Sequence, residues 1–205
     1  PFNELSDRQR SETLFGNRHS MIDVIIREEQ PEDYEKVCRL VEAAFRDVKE
    51  SDHTEHRLVE RLRKSEAYIP ELSLIAQTLQ GEIVGHILLT KAQIVNNTRS
   101  FEVLALAPLS VLPTFQRNLI GSRLIQRAHQ KAAELGYPAI VLLGHKDYYP
   151  RFRYKKASQF AIRFPFEAPD ECCMVAELRT NALKGISGTV SYATVSYTHL
   201  TLPTT

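Results

Sequence analysis

The spacing of hydrophobic positions changes period along this chain, and each period predicts an element. Val24, Ile25 and Ile26 form a short apolar run ending near Arg27, which predicts a strand. Pro31, followed by Glu32 and Asp33, suits a helix start. Proline fits the first turn, and carboxylates suit the positive end of the helix dipole. Val37, Leu40, Val41, Ala44 and Phe45 then recur on one helical face. A second helix is predicted over roughly Thr54–Lys64, with Leu58 and Leu62 on one side and charges elsewhere.

From there the pattern is that of strands and turns. LSLIAQTL, Leu72–Leu79, reads as a strand, Gln80-Gly81-Glu82 as a tight turn, and IVGHILLTKAQIV as a long returning strand. Asn96-Asn97 makes another turn before the strongly apolar Phe101–Leu112. Together these predict an antiparallel meander. Ile120, Leu124, Ala128, Ala132 and Leu135 then mark a helix face, closed by Gly136 as its cap. Ala139–Leu143, AIVLL, is the continuous apolar run of a strand buried on both faces. Strand 101–112, helix 119–135 and strand 139–143 therefore form one βαβ crossover. A short helix around Asp147–Phe152 and strands near Gln159–Phe166 and Cys172–Leu178 complete the reading.

The expected fold is α/β: a mixed, mostly antiparallel twisted sheet with a central βαβ crossover and flanking helices. One domain is expected over 21–193, because neither repeats nor low-complexity stretches divide it. Residues 1–20 are polar and aperiodic, so they read as a non-native leader outside the domain, with Met21 as the expected start. Residues 194–205 have no charged side chain and four Thr among the last eight, and read as a non-native tail.

Composition narrows the function classes. A chain of 205 residues is long enough for one well-buried domain and short for two. A net charge of +1 argues against a surface built for nucleic acid. No apolar run approaches the ~20 residues of a membrane-spanning helix. The 3 cysteines, Cys38, Cys172 and Cys173, have neither zinc nor disulfide-framework spacing, which fits a reducing cytoplasm. His53 and His56, in HTEH, stand three apart without further ligands in register, so no metal is expected.

The chemistry concentrates at the junction LSVLPTFQRNLIGSRLIQRA, where an apolar strand breaks at Pro113 and restarts as a helix. The first N–H groups of a helix lack partners within it and carry partial positive charge. Gln116, Arg117, Asn118 and Gly121 therefore make either an anion cradle or an ordinary βα loop.

The element order and this junction resemble the GNAT superfamily of acetyl-coenzyme-A-dependent N-acetyltransferases. Its phosphate-binding pattern, [QR]-x-x-G-x-[GA], falls on Gln116–Gly121, and GHKDYYPRFRY, Gly144–Tyr154, is similar to the family's segment carrying a Tyr before G-F. LGHKDYYPRF, followed later by CCMVAEL and LKGISGTVSY, resembles one bacterial subfamily of acetyltransferases. The resemblance implies that acetyl-CoA is the cosubstrate. Its pyrophosphate would sit on the backbone of Gln116, Arg117, Asn118, Leu119, Ile120, Gly121 and Ser122, and its pantetheine arm would pair with Leu109 and Val111. It implies acetyl transfer to a primary amine, small or protein-borne, with Tyr149 as the acid that protonates the leaving thiolate. Candidates for the base are Glu102 and His86. A homodimer is possible, and a non-catalytic acyl-CoA-binding regulatory module is the alternative.

Two departures touch this pattern. Leu119 replaces the first motif Gly, and Arg153 replaces the Gly of G-F. A Leu at 119 either narrows the approach of phosphates or, with right-handed helical angles, turns its side chain into the core and leaves the N–H groups free. Arg151, Lys155 and Lys156 form a basic cluster nearby that could meet a phosphate or face solvent.

Overall fold

The computed structural model describes residues 22–49 and 51–194. The leader 1–20, Met21 and all but the first residue of the tail 194–205 lie outside the described residues. Strand β1 (Val24–Glu28) leads through a 3-10 turn at Pro31–Asp33 into α1 (Tyr34–Phe45) and α2 (Glu55–Arg63). Gln30 and Asp33 close the start of that turn as a capping box, and Asp33 is also held by Arg27. The long strands β2 (Tyr68–Thr78), β3 (Ile83–Val95) and β4 (Ser100–Val111) form the expected meander.

Helix α3 (Ile120–Glu134) then crosses to β5 (Ala139–Leu143), which pairs parallel with β4. Gly136 ends the helix at φ +88°, where a left-handed residue is needed. The remaining strands are β6 (Lys155–Lys156), β7 (Ile162–Arg163), β8 (Cys173–Glu177) and β9 (Gly188–Tyr192). They complete a nine-stranded mixed sheet ordered β1-β2-β3-β4-β5-β8-β6, with β9 joining β3 and β7 to one side.

Three elements differ from expectation. β2 begins at Tyr68 rather than Leu72. The strand expected near Gln159–Phe166 is mostly a 3-10 turn over Ala157–Phe160, and only Ile162 and Arg163 pair. The apolar alternation there is real, but Ala161 at φ +54° breaks the extended backbone. β9, which the sequence pattern did not reveal, lies antiparallel to the end of β3.

Two apolar faces fix the site. α1 and α2 bury Val37, Leu40, Phe45, Leu58 and Leu62 against Ile75 and Leu88 of the sheet. On the other face, α3 buries Ile120, Leu124 and Ala128 against β2–β5. α3 seats closely because Gly85 of β3 has no side chain. A Cβ there would lie 2.9 Å from Leu124 Cδ1 and 3.0 Å from Ile120 Cγ2.

The sheet opens in its middle. β4 and β5 pair only at Leu104↔Ile140 and Ala105↔Val141. Between Leu106 and Leu109 the β3–β4 register slips by one residue, a bulge that contains Pro108. Proline lacks the N–H that a ladder needs, so it is tolerated at such bulges. Beyond it, Leu109, Ser110 and Val111 pair with β3 on one side and not with β5 on the other.

Gly85→Val is expected to overpack the α3 seat and cost about 1–3 kcal/mol of stability. Urea unfolding measures this, and an unchanged midpoint would contradict the close-seat account.

Candidate active site

The edge of β4 exposed by the splay runs directly into the 3-10 turn Pro113–Phe115 and the start of α3. A cavity of about 360 Å³ sits over this junction. Leu109, Val111, Gln116, Arg117, Leu119, Ile120, Gly121 and Ser122 all line it, so the structure brings together all but one of the expected coenzyme residues. Asn118 is the exception: its side-chain amide donates to the carbonyls of Phe115 (3.1 Å) and Gln116 (3.0 Å) and pins the loop.

The first N–H that reaches back along the helix is that of Arg123, to the Leu119 carbonyl at 3.0 Å. The N–H groups of Ile120, Gly121 and Ser122 precede it and are left for an acceptor at the cavity floor. Arg117 and Leu119 both adopt left-handed backbone, at φ +64° and +59°. Alternating handedness of this kind turns successive N–H groups toward one point and makes an anion nest.

Leu119 therefore does not take the right-handed angles expected of it as one alternative. Its conformation is the glycine-like one (φ +59°, ψ +9°), and its side chain is 55% exposed rather than turned into the core. Arg153, the other replacement for a motif glycine, is likewise left-handed at φ +69°. The backbone keeps the shape that glycine would favour, at a conformational cost of about 1 kcal/mol for each such residue.

The other wall comes from the segment after β5. Tyr148 lines the cavity with its hydroxyl toward Ser122. A Cβ on Gly121 would stand 2.7 Å from that hydroxyl, so Gly121 makes room for it. Arg151 lies over the Tyr148 ring at 4.3 Å, donates to the Tyr148 carbonyl at 2.8 Å, and brings a second cation to the cavity. Lys155 and Lys156, expected alongside it, instead lie on β6 and pair with β8, with Lys156 bridged to Asp170 at 3.4 Å.

Tyr149 is placed differently from its neighbour. It is fully buried, packs edge-on to Tyr148 and Tyr154, and its hydroxyl has no hydrogen-bond partner. Burial raises its pKa well above the usual phenol value, so it is a protonated phenol at neutral pH. Its ring lies against Gly144, directly after β5, where any Cβ would come within 2.3 Å of it. Gly144 is thus the packing partner of Tyr149: it lies in the GHKDYYPRFRY motif, but only the packing reveals its use.

Glu102 is not brought to this cavity. It is exposed near the start of β4, opposite Gln93, and seven residues of strand, about 23 Å, separate it from Leu109. His86, the other base candidate, is fully buried on β3 opposite Ser110. His53 donates through Nδ1–H to the Phe45 carbonyl, 3.0 Å away. Among the described residues, no group of three or more His, Cys, Asp or Glu side chains could hold a metal ion. Nor is any described helix long and apolar enough to cross a membrane.

Residues 25–157 match the family described as Acetyltransferase (GNAT) domain. The chain belongs to the GNAT acetyltransferase family. A relative in Escherichia coli K12, the uncharacterized N-acetyltransferase YjhQ, is 35% identical over 139 residues, covering 66% of this chain and 74% of YjhQ. The GNAT fold is equally plain in solved structures. The E. coli N-acetyltransferase YhbS, crystallised with CoA, superposes with a TM-score of 0.78 over 92% of this chain and 99% of YhbS, at 22% identity. A Brucella melitensis GNAT acetyltransferase, crystallised with acetyl-CoA, gives 0.68 over 85% of this chain and 98% of that one, at 28% identity.

In this GNAT chain, Leu119 is the residue whose replacement separates backbone strain from packing. Leu119→Gly is expected to leave stability unchanged or raise it by up to about 1 kcal/mol, because left-handed strain is relieved and little buried area is lost. Urea unfolding checks this. A loss above about 1 kcal/mol would contradict the left-handed assignment.

Proposed function

We propose that this GNAT protein transfers an acetyl group from acetyl-CoA to a primary amine by direct attack of the amine on the thioester. The observation that carries the reading is the continuity of the unpaired β4 edge with the nest at the start of α3, in one cavity. The strand edge suits an extended chain bearing amides, since backbone groups at Leu109 and Val111 can pair with it as with another strand. The nest suits a pyrophosphate. Its N–H groups carry the helix's partial positive charge, and Arg117 and Arg151 add two full charges at the rim. CoA and acetyl-CoA in the two crystallised relatives support the same occupant.

A second cavity, of about 520 Å³, is larger and more polar, and is lined by Arg153, Lys155, Glu177 and Arg179. It has cations, and only the two-residue edge strand β6 reaches it, at Lys155, with no helix N-terminus among its lining residues. Size alone does not make it the better coenzyme site.

The transfer forms a C–N bond and breaks the C–S bond, so the amine must lose a proton and the departing sulfur must gain one. The motif resemblance gives Tyr149 the acid role; its ring is enclosed behind the cavity-lining Tyr148, so its hydroxyl must be uncovered toward the sulfur when the coenzyme binds. Its phenol retains its proton at neutral pH, and its hydroxyl lacks a partner within the protein. A buried donor without a partner costs about 1–3 kcal/mol and calls for an explanation, which a developing thiolate supplies. A non-catalytic coenzyme-binding module would have no use for that hydroxyl.

The test combines three measurements on Tyr149→Phe. Turnover is read as free thiol released from acetyl-CoA, using the amine that the wild-type protein acetylates fastest in a panel of small amines and lysine peptides. It is expected to fall about 100-fold. Acetyl-CoA affinity by calorimetry is expected to stay within about twofold, and stability to hold or rise by up to about 1 kcal/mol as the unpaired hydroxyl is removed. Unchanged turnover would remove Tyr149 from the mechanism. Coenzyme binding without acetylation of any amine would return the chain to the regulatory reading.

A further inference from the structure

Behind the cavity wall lies a chain of buried polar groups that the mechanism above does not use. Glu29, just past β1, has a fully buried side chain ion-paired with Arg63 of α2. Ser73 of β2 donates its single hydroxyl proton to Glu29 Oε2 at 2.6 Å. The same Ser73 oxygen lies 3.1 Å from His86 Nε2. The one Ser73 proton goes to the Glu29 carboxylate, with the Tyr68 hydroxyl as its competitor, so in either case the Ser73 oxygen accepts from His86. This fixes the imidazole as the Nε2–H tautomer and leaves a bare lone pair at Nδ1.

That lone pair has no partner. His86 Nδ1 and Ser110 Oγ are both buried without a hydrogen bond. The two residues stand directly opposite each other across β3 and β4, with their side chains on one face of the sheet. Directly opposed residues hold their Cβ atoms about 5 Å apart, a gap that one serine rotamer change or one bridging water closes. Ser110 is also one of the residues lining the coenzyme cavity. Two unpaired polar groups facing each other beside a cavity are placed to connect with one another.

We propose that Ser110, His86, Ser73 and Glu29 form a proton relay that takes up the proton lost by the attacking amine. The inference rests on the acetyl-transfer reading above. The N–H bond of the amine breaks and its proton reaches Ser110, directly or through one water, as the Ser110 proton passes to His86 Nδ1. The Nε2 proton moves to Ser73 as the Ser73 hydroxyl proton passes to Glu29. His86 ends as the other neutral tautomer and Glu29 as the acid. No imidazolium forms, and the proton returns along the same path when products leave.

The surroundings suit a neutral relay rather than a charged base. Burial pushes the His86 pKa down to about 4, against the opposing pull of Glu29. Besides Glu29, the charged and titratable groups around this network are Arg63 from α2, Tyr34 and Cys38 from α1, and Tyr68 from β2. Arg63 lies 4.1 Å from the Tyr34 ring centroid and donates to Cys38 Sγ at 3.6 Å, while burial raises the pKa of Tyr68. All these elements hold Glu29 and Arg63 in place, so Glu29, Ser73 and Arg63 are positioning residues for His86.

The first test is nuclear magnetic resonance of the full chain carrying ¹⁵N-imidazole histidine. At pH 7 the relay requires Nε2–H with unprotonated Nδ1 at His86, and Ser73→Ala must disturb that tautomer. An Nδ1–H tautomer, or an imidazolium at pH 7, overturns the proposal. The second test is kinetic and uses the amine chosen above. Ser110→Ala and His86→Gln are expected to lower kcat at least tenfold while acetyl-CoA affinity stays within twofold, and Ser73→Thr, which keeps the hydroxyl, is expected to retain the activity that Ser73→Ala loses. Wild-type kcat in folded Ser110→Ala overturns the relay even if His86→Gln fails to fold. Loss of acetyl-CoA binding by the wild-type protein would instead refute the acetyl-transfer reading, which the imidazole spectrum does not test.

Discussion

The separation of β4 from β5 after two paired positions is the constraint on which the rest of this structure depends. A parallel pair closed along its length would leave neither a strand edge nor a cavity. The bulge around Pro108 ends the pairing on the β5 side while β3 continues to hold Leu109–Val111 on the other. The released edge leads straight to the N-terminus of α3, so a single loop joins amide pairing to anion binding. The same opening separates the environments of two adjacent tyrosines: Tyr148 lines the cavity, and Tyr149 is enclosed against Gly144.

Glycine and its absence set the fine geometry. Gly85 and Gly144 have no side chain because α3 and the Tyr149 ring occupy the space a Cβ would need. Arg117, Leu119 and Arg153 hold left-handed backbone without being glycine. The strain is local and small beside the apolar contacts that fasten α3 to the sheet, so packing decides the shape and the loop follows it. Leu119 keeps the nest open because its exposed side chain points away from the core.

Much of this was legible in the sequence where local pattern and global fold agree. The meander, the crossover and the boundaries of α3 followed from apolar spacing, and the phosphate-binding pattern located the cavity. The short strands after residue 155 were not legible. Their two-residue pairings leave almost no periodicity, and Ala161 breaks an apparently continuous run. Glu102 was placed by its strand alone, and position along that strand separates it from the cavity. Gly144 and the Ser73–His86–Ser110 alignment depend on contacts between distant segments. Neither the register nor the tautomer it enforces has a signature in linear spacing.

The most direct test of the central claim is an amide NMR titration of the full chain with acetyl-CoA. The account predicts that the largest shifts fall on the backbone N–H groups of Leu109–Val111 and Arg117–Ser122. Shifts concentrated instead around Arg153, Lys155 and Arg179, or no saturable shifts up to millimolar coenzyme, would contradict it.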